Sequence, residues 1–168
     1  MINIVLFEPE IPQNTGNIMR TCVAVGARLH LIKPLGFELS DKQLKRSGMD
    51  YIEELDYFVY EDYKDFVSKN LGYYFYITRY GEKTYSDVDY NEIKDNIYLI
   101  FGKESTGIDK NILKNNLDHC FRIPMKKDIR SLNLSNCVAI VLYEVLRQKD
   151  FFGLSKYETI KEKNYLKK

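Results

Sequence analysis

Ile97-Tyr98-Leu99-Ile100-Phe101 runs without a break into Gly102-Lys103-Glu104-Ser105-Thr106-Gly107. An apolar run that stops abruptly at a polar, glycine-bearing loop predicts a strand buried on both faces. Beyond the loop, Asp109 can cap a helix through Ile112 and Leu113. The same order of segments recurs on either side. Upstream, residues 2–7 are apolar but for Asn3, Glu8-Pro9-Glu10-Ile11-Pro12 breaks the run, and Asn14-Thr15-Gly16-Asn17-Ile18-Met19-Arg20 follows. Downstream, residues 120–123 are stopped by Pro124. Met125 comes next, then Arg130-Ser131-Leu132-Asn133-Leu134-Ser135-Asn136 at the head of a helix. This alternation predicts an α/β fold with a mostly parallel sheet flanked by helices. Ligands of such sheets bind outside the carboxyl ends of the strands, so the three loops are expected to converge on one pocket.

The remaining segments fit that frame. Asn14 or Thr15 is expected to cap a helix that runs to about Val25 and stops at Gly26. Residues 28–32, 57–60 and 73–78 read as strands. Ser40 can open a short basic helix through Lys42, Leu44 and Lys45, and Asp62 another to about Asn70. The polar stretch 80–95 reads as a loop with a helical turn. Leu134, Val138, Val141, Leu142 and Val145 lie at helical spacing, which predicts a helix over residues 134–149 capped by one of Ser131, Asn133 or Ser135. The expected domain is residues 1–153, with a lysine-rich tail over residues 154–168.

Composition bounds the function. The chain of 168 residues is 45% hydrophobic and 29% charged, as expected of one soluble globular domain. Its first residues read as a strand and carry no signal-peptide pattern, and no apolar run is long enough to span a membrane. Cys22, Cys120 and Cys137 are odd in number and far apart, which argues against a disulfide framework or a zinc site. His30 and His119 have no partner at catalytic or ligand spacing, so both are expected to be structural. Together these predict a cytoplasmic protein that uses no metal. Net charge is only +1, so any affinity for nucleic acid must come from local patches. Candidates are Lys42, Lys45 and Arg46; Lys126, Lys127 and Arg130; and the lysines from Lys156 to Lys168.

Familiar nucleotide signatures fail. Gly-x-Gly-x-x-Gly is absent, Gly102-Lys103 is followed by Glu104 where a phosphate loop needs Ser or Thr, and Ile97 stands where that loop needs glycine. No Gly-x-Ser-x-Gly elbow is present. What remains is polar. Arg20, near the start of a helix, suits a phosphate. Gly102 lets backbone approach a flat ligand with no Cβ in the way. Glu104 can pair with a cation or take backbone amides. Arg130, Ser131, Asn133 and Ser135 crowd one helix start. Tyr143 lies off the apolar stripe of that helix.

In this order, Asn14-x-Gly16-x-x-x-Arg20, Phe101-Gly102-x-Glu104-x-x-Gly107, and Ile123-Pro124-Met125 with Arg130-Ser131-Leu132-Asn133-Leu134-Ser135 resemble the three motifs of the SPOUT class of RNA methyltransferases, on its SpoU side. The opening residues 3–12 and the short length are similar to its tRNA wobble-nucleotide 2'-O-methyltransferases. The resemblance spans Met1 to about Gly153. It implies a C-terminal trefoil knot that binds S-adenosylmethionine at Ile77, Gly102, Ile123 and Ser131, with the backbone of Ile77 and Ile123 reading the adenine edge. It gives Arg20 the reacting hydroxyl and an RNA phosphate. Asn133, Ser135 and Tyr143 follow as further catalytic candidates, and Asn14 and Arg130 as substrate contacts. It also implies a homodimer with the last helix at its interface, and tRNA, read at the anticodon stem-loop, as partner. With no separate RNA-binding domain evident, recognition falls to the methyltransferase domain itself. Another tRNA or rRNA position, or a non-catalytic RNA-binding dimer, are the competing readings.

Overall fold

The structure, a computed structural model, describes residues 1–39, 54–161 and 166. The helix expected from Ser40, the patch of Lys42, Lys45 and Arg46, and most of the far tail lie outside the described residues.

Seven strands form one sheet: β1 (Ile2–Phe7), β2 (Arg28–Ile32), β3 (Tyr57–Tyr60), β4 (Tyr73–Ile77), β5 (Lys83–Thr84), β6 (Ile97–Phe101) and β7 (Cys120–Arg122). Their order is β3-β2-β1-β6-β4-β7-β5, and the described pairings are all parallel. The central strands are mostly apolar because both faces are covered. Ile4, Leu6, Leu29, Leu31, Leu99 and Phe101 join one core cluster, whereas Val5, Phe7, Ile32, Tyr98 and Ile100 join the other.

Among the described residues, four α-helices flank the sheet: α1 (Pro12–Val25), α2 (Tyr63–Lys69), α3 (Lys110–Lys114) and α4 (Leu134–Gln148). Helices α1 and α4 pack together over the first cluster, and Val138, Val141, Leu142 and Val145 are wholly buried there. Asp62 and Asp109 cap α2 and α3 as the sequence predicts. Gly26 ends α1 in the left-handed conformation, with φ 66°.

Two local readings change. Helix α1 begins at Pro12, earlier than an Asn14 or Thr15 cap allows, and has Ile11 at its N-cap with no side-chain cap. Proline fixes the first helical φ and needs no hydrogen-bond acceptor, so it starts the helix without a polar cap. The stretch read as a loop contains β5 and two 3-10 turns, Tyr85–Asp87 and Tyr90–Glu92.

The placement of β7 organises the functional end. It lies between β4 and β5, which are neighbours in sequence. The return from β4 presses against it so closely that a Cβ on Gly81 would stand 2.6–2.8 Å from the backbone of Phe121. Only glycine permits that approach.

Candidate functional site

Strands β6, β4 and β7 are adjacent, and Ile77 is level with Phe101 on one side and Phe121 on the other. Gly102 and Ile123 therefore leave the sheet beside Ile77, at the carboxyl ends of three neighbouring strands. Ile77 and Ile123 are half-buried and pack against the same core cluster as α1 and α4. Gly102 is needed for a different reason from the one the sequence suggests. A Cβ there would lie 2.2 Å from the carbonyl carbon of Gly107 and 2.3 Å from the nitrogen of Ile108. The loop closes on itself at that point. The Gly107 N–H donates to the Lys103 carbonyl at 2.9 Å, and Gly107 takes φ 78°.

Glu104 ties the three motif loops together. Its carboxylate accepts the N–H of Glu10 at 2.9 Å, the N–H of Ile11 at 3.3 Å and the Nδ2 of Asn14 at 2.9 Å. Of its two possible roles, it takes the backbone amides. The Oδ1 of Asn14 in turn accepts Nδ2 of Asn133 at 2.9 Å. Asn133 caps α4, its Oδ1 accepting the N–H of Ser135 at 2.9 Å, the Ser135 hydroxyl at 2.6 Å and the N–H of Asn136 at 3.4 Å. A second set of bonds runs alongside. Glu10 accepts the N–H and hydroxyl of Ser105, which hold its pKa below the usual carboxylate value. Lys103 pairs with Glu8 at 2.6 Å, and that bond raises the lysine pKa.

The expected site residues divide into three groups. Asn14, Glu104, Asn133 and Ser135 form one continuous network. Asn14 is 6% exposed with both ends of its amide engaged inside the protein, so its contribution is to hold the loops. Ile77, Gly102 and Ile123 share the strand ends, and Ser131 is exposed two residues before the α4 cap. Arg20 lies on the exposed face of α1 beside Asn17 and makes no hydrogen bond or ion pair among the described residues. Tyr143, on the outer face of α4, is 48% exposed, and Arg130 is exposed too. Sequence reasoning missed Glu10 and Ser105. Their only signal was a carboxylate in one motif loop and a hydroxyl in another.

An adenosyl group needs apolar walls, and the half-buried side chains of Ile77 and Ile123 are apolar and stand at the ends of neighbouring strands. Two clefts, of about 360 and 400 Å³, are lined by none of Ile77, Gly102, Ile123 or Ser131, although the second opens beside the same loop at Lys103, Thr106 and Gly107. The first is floored by a buried network. His30 bonds Tyr60 at 2.8 Å and Asn3 at 3.1 Å. Burial first, and Arg28 second, lower its pKa to about 4 against a smaller opposing effect of Asp56. No helix among the described residues is long and apolar enough to cross a membrane.

Comparison with known proteins identifies the family and the fold. The model of the SpoU rRNA methylase family matches residues 1–143. A Yersinia pestis protein named tRNA (cytidine(34)-2'-O)-methyltransferase is 46% identical over 160 residues, covering 91% of this chain and 97% of its own. A solved structure described by its work on the 2-OH methylation of C/U34 on tRNA superposes with TM-score 0.81 at 37% identity, over 90% of this chain and 97% of that one. An AdoMet-bound rRNA methyltransferase of Sinorhizobium meliloti shares the fold, with TM-score 0.77 at 24% identity, over 92% of this chain and 57% of its own.

Proposed function

The chain belongs to the SpoU rRNA methylase family, and from that premise we propose that it is a cytoplasmic tRNA methyltransferase. It acts on the ribose 2'-hydroxyl of the first anticodon nucleotide, cytidine or uridine, with S-adenosylmethionine as donor. The observation that carries the reading is a relative of that named activity, 46% identical over nearly its whole length. The unbroken network from Glu104 through Asn14 to Asn133 supports it.

Bound at Ile77, Gly102, Ile123 and Ser131, S-adenosylmethionine supplies an electrophilic methyl group. The chain supplies position. Glu104 fixes the start of α1 relative to the β6 loop, and Asn133 fixes α4 to the same point. Holding the hydroxyl in line with the methyl donor is a substantial part of such catalysis, because orientation alone is worth several kcal/mol. Arg20 presents free guanidinium donors on a rigid helix. A guanidinium stays charged in proteins, so Arg20 holds the substrate phosphate and hydroxyl in place. Asn133 and Ser135 are bonded to each other and keep α4 in register, while Tyr143 and Arg130 present exposed side chains toward substrate. The trefoil knot is part of this reading, supported by β7 seated between β4 and β5 and by Gly81 pressed on Phe121. So is a homodimer joined through the outer face of α4.

The test is incubation of the protein with labelled S-adenosylmethionine and unmodified tRNA, followed by nuclease digestion and mass-spectrometric mapping. A 2'-O-methyl group on the first anticodon nucleotide is expected. Label elsewhere would move the target position, and no label with cofactor bound would favour the non-catalytic RNA-binding reading. Arg20→Ala is expected to lower kcat/KM by roughly tenfold to a hundredfold, the effect of one lost charged hydrogen bond, with cofactor affinity unchanged. Normal turnover in that variant would remove Arg20 from the mechanism.

A further inference from the structure

The sheet ends, on one side, in two loops whose basic side chains, Arg130 apart, have no part in the methyl transfer proposed above. Residues 78–82 follow β4 and residues 123–133 follow β7. They are fastened to each other. The Thr78 N–H donates to the Phe121 carbonyl at 2.8 Å, Gly81 abuts the Phe121 backbone, and Lys83 and Thr84 of β5 pair with Phe121 and Arg122 of β7.

This joined surface has a charge unlike the rest of the chain. It carries Arg79, Lys83, Arg122, Lys126, Lys127 and Arg130 against only Glu82 and Asp128, whereas the whole sequence has 25 basic and 24 acidic residues. Arg122 is half-buried and the other five cations are exposed. Among the described residues none of the six is in an ion pair or donates a side-chain hydrogen bond. Elsewhere lysines and arginines with a carboxylate in reach use it, as Lys103 uses Glu8 and Arg147 uses Glu144. At the tip, the Arg79 guanidinium sits 5.2 Å from the centre of the Tyr80 ring, and Tyr80 is 70% exposed. A solvent-facing arginine–tyrosine stack offers a flat surface of the kind on which unstacked bases lie.

We infer that this edge of the sheet is a docking surface for the substrate RNA. Its cations hold backbone phosphates of nucleotides flanking the methylated one, and Arg79 with Tyr80 forms a platform for an unstacked base. The inference rests on the RNA reading proposed above and joins Arg79, Tyr80, Lys83 and Arg122, which lie outside the three motifs, to the patch of Lys126, Lys127 and Arg130. Its position fits, because Arg79 and Arg122 adjoin Ile77 and Ile123, where the methyl donor is proposed to bind. A single small anion such as the cofactor carboxylate would engage one or two of these cations, not six spread along two loops. A tract of phosphates engages them all.

The test uses the intact protein and an anticodon stem-loop RNA, with affinity measured by fluorescence anisotropy over a range of salt concentrations. Binding of S-adenosylhomocysteine is measured in parallel by calorimetry. For the double variant Arg79→Gln/Lys83→Gln, RNA affinity is expected to fall on the order of tenfold or more. The slope of log affinity against log salt should shrink by roughly 0.7 for each phosphate that the variant no longer neutralises. Tyr80→Ala is expected to weaken RNA binding on the order of tenfold with the salt slope unchanged. Cofactor affinity should hold in both. If wild-type protein methylates tRNA and the double variant binds RNA with the same affinity and slope, the surface is wrong and the function stands. Loss of cofactor affinity with RNA binding intact would give the cations to the cofactor and overturn the inference. Wild-type protein that neither binds nor methylates RNA would overturn surface and function together.

Discussion

His30 shows how one residue can be chemically capable and still structural. Its ring is 2% exposed and stacks on Phe58 and Tyr60. Asn3 donates its Nδ2 to the carbonyls of Met1 and Ile97, so its Oδ1 must accept from His30. The proton is therefore on Nε2, and Nδ1 accepts from the Tyr60 hydroxyl. With a folded pKa of about 4 against the ordinary 6.5, the unfolded chain binds the proton more readily. Stability contributed by neutral His30 is therefore full above about pH 6.5 and is lost as pH falls toward 4. The difference across that window is on the order of 3 kcal/mol. Urea unfolding between these limits should give a midpoint that rises with pH, and His30→Gln should flatten the rise. An unchanged slope in the variant would mean that other groups set the acid sensitivity. The sequence placed His30 in a strand and expected it to be structural, which the burial supports. The aromatic residues that surround it come from three other elements and left no local mark.

Between elements, the joint between α1, the β6 loop and α4 depends on one carboxylate. Glu104 takes three donors from the chain around α1, and Asn14 passes the connection to the α4 cap. Glu104→Gln keeps the shape but places an amide N–H₂ where a donor already points. The loss should be about 1–3 kcal/mol of stability, and the effect should be local. Amide hydrogen exchange at Glu10 and Ile11 should quicken while the centres of α1 and α4 stay protected. Protection that stays normal at Glu10 and Ile11 would show that the loops are held without Glu104. The caps show what could be read at this scale. Asp62 and Asp109 were legible because an N-cap bonds within three residues of itself. Asn14 has the same kind of polar side chain at a plausible position, yet its amide reaches Glu104 and Asn133, partners 90 and 119 residues away. Its residue type said that it would bond, and only the fold said to what.

Across the whole molecule, strand β6 was legible because burial on both faces makes it an unbroken apolar run, and β1, β2 and β4 because most of their residues are apolar. Strand β5 is Lys83 and Thr84 alone, without an apolar signal, and the seating of β7 between β4 and β5 is a fact of register that periodicity does not encode. A pattern in sequence reports which side of an element is covered, and by itself it does not say by what. The same limit applies to the outer face of α4. Its inner stripe is buried against α1 and the sheet, yet Ile140 is 37% exposed on the outer face, with Leu132 37% exposed just before the helix. Such a set of apolar side chains on a helix already packed on its other side is what an isologous contact between two copies would cover. Sedimentation equilibrium should therefore give a mass twice that of one chain, and the thermal midpoint should rise with protein concentration, since dissociation accompanies unfolding. Ile140→Asp places a charge in the centre of that face without touching the α4 core. It should shift the mass toward one chain and remove the concentration dependence. A wild-type mass of one chain would remove the dimer, and a variant that keeps a doubled mass would put the contact on another face of the molecule.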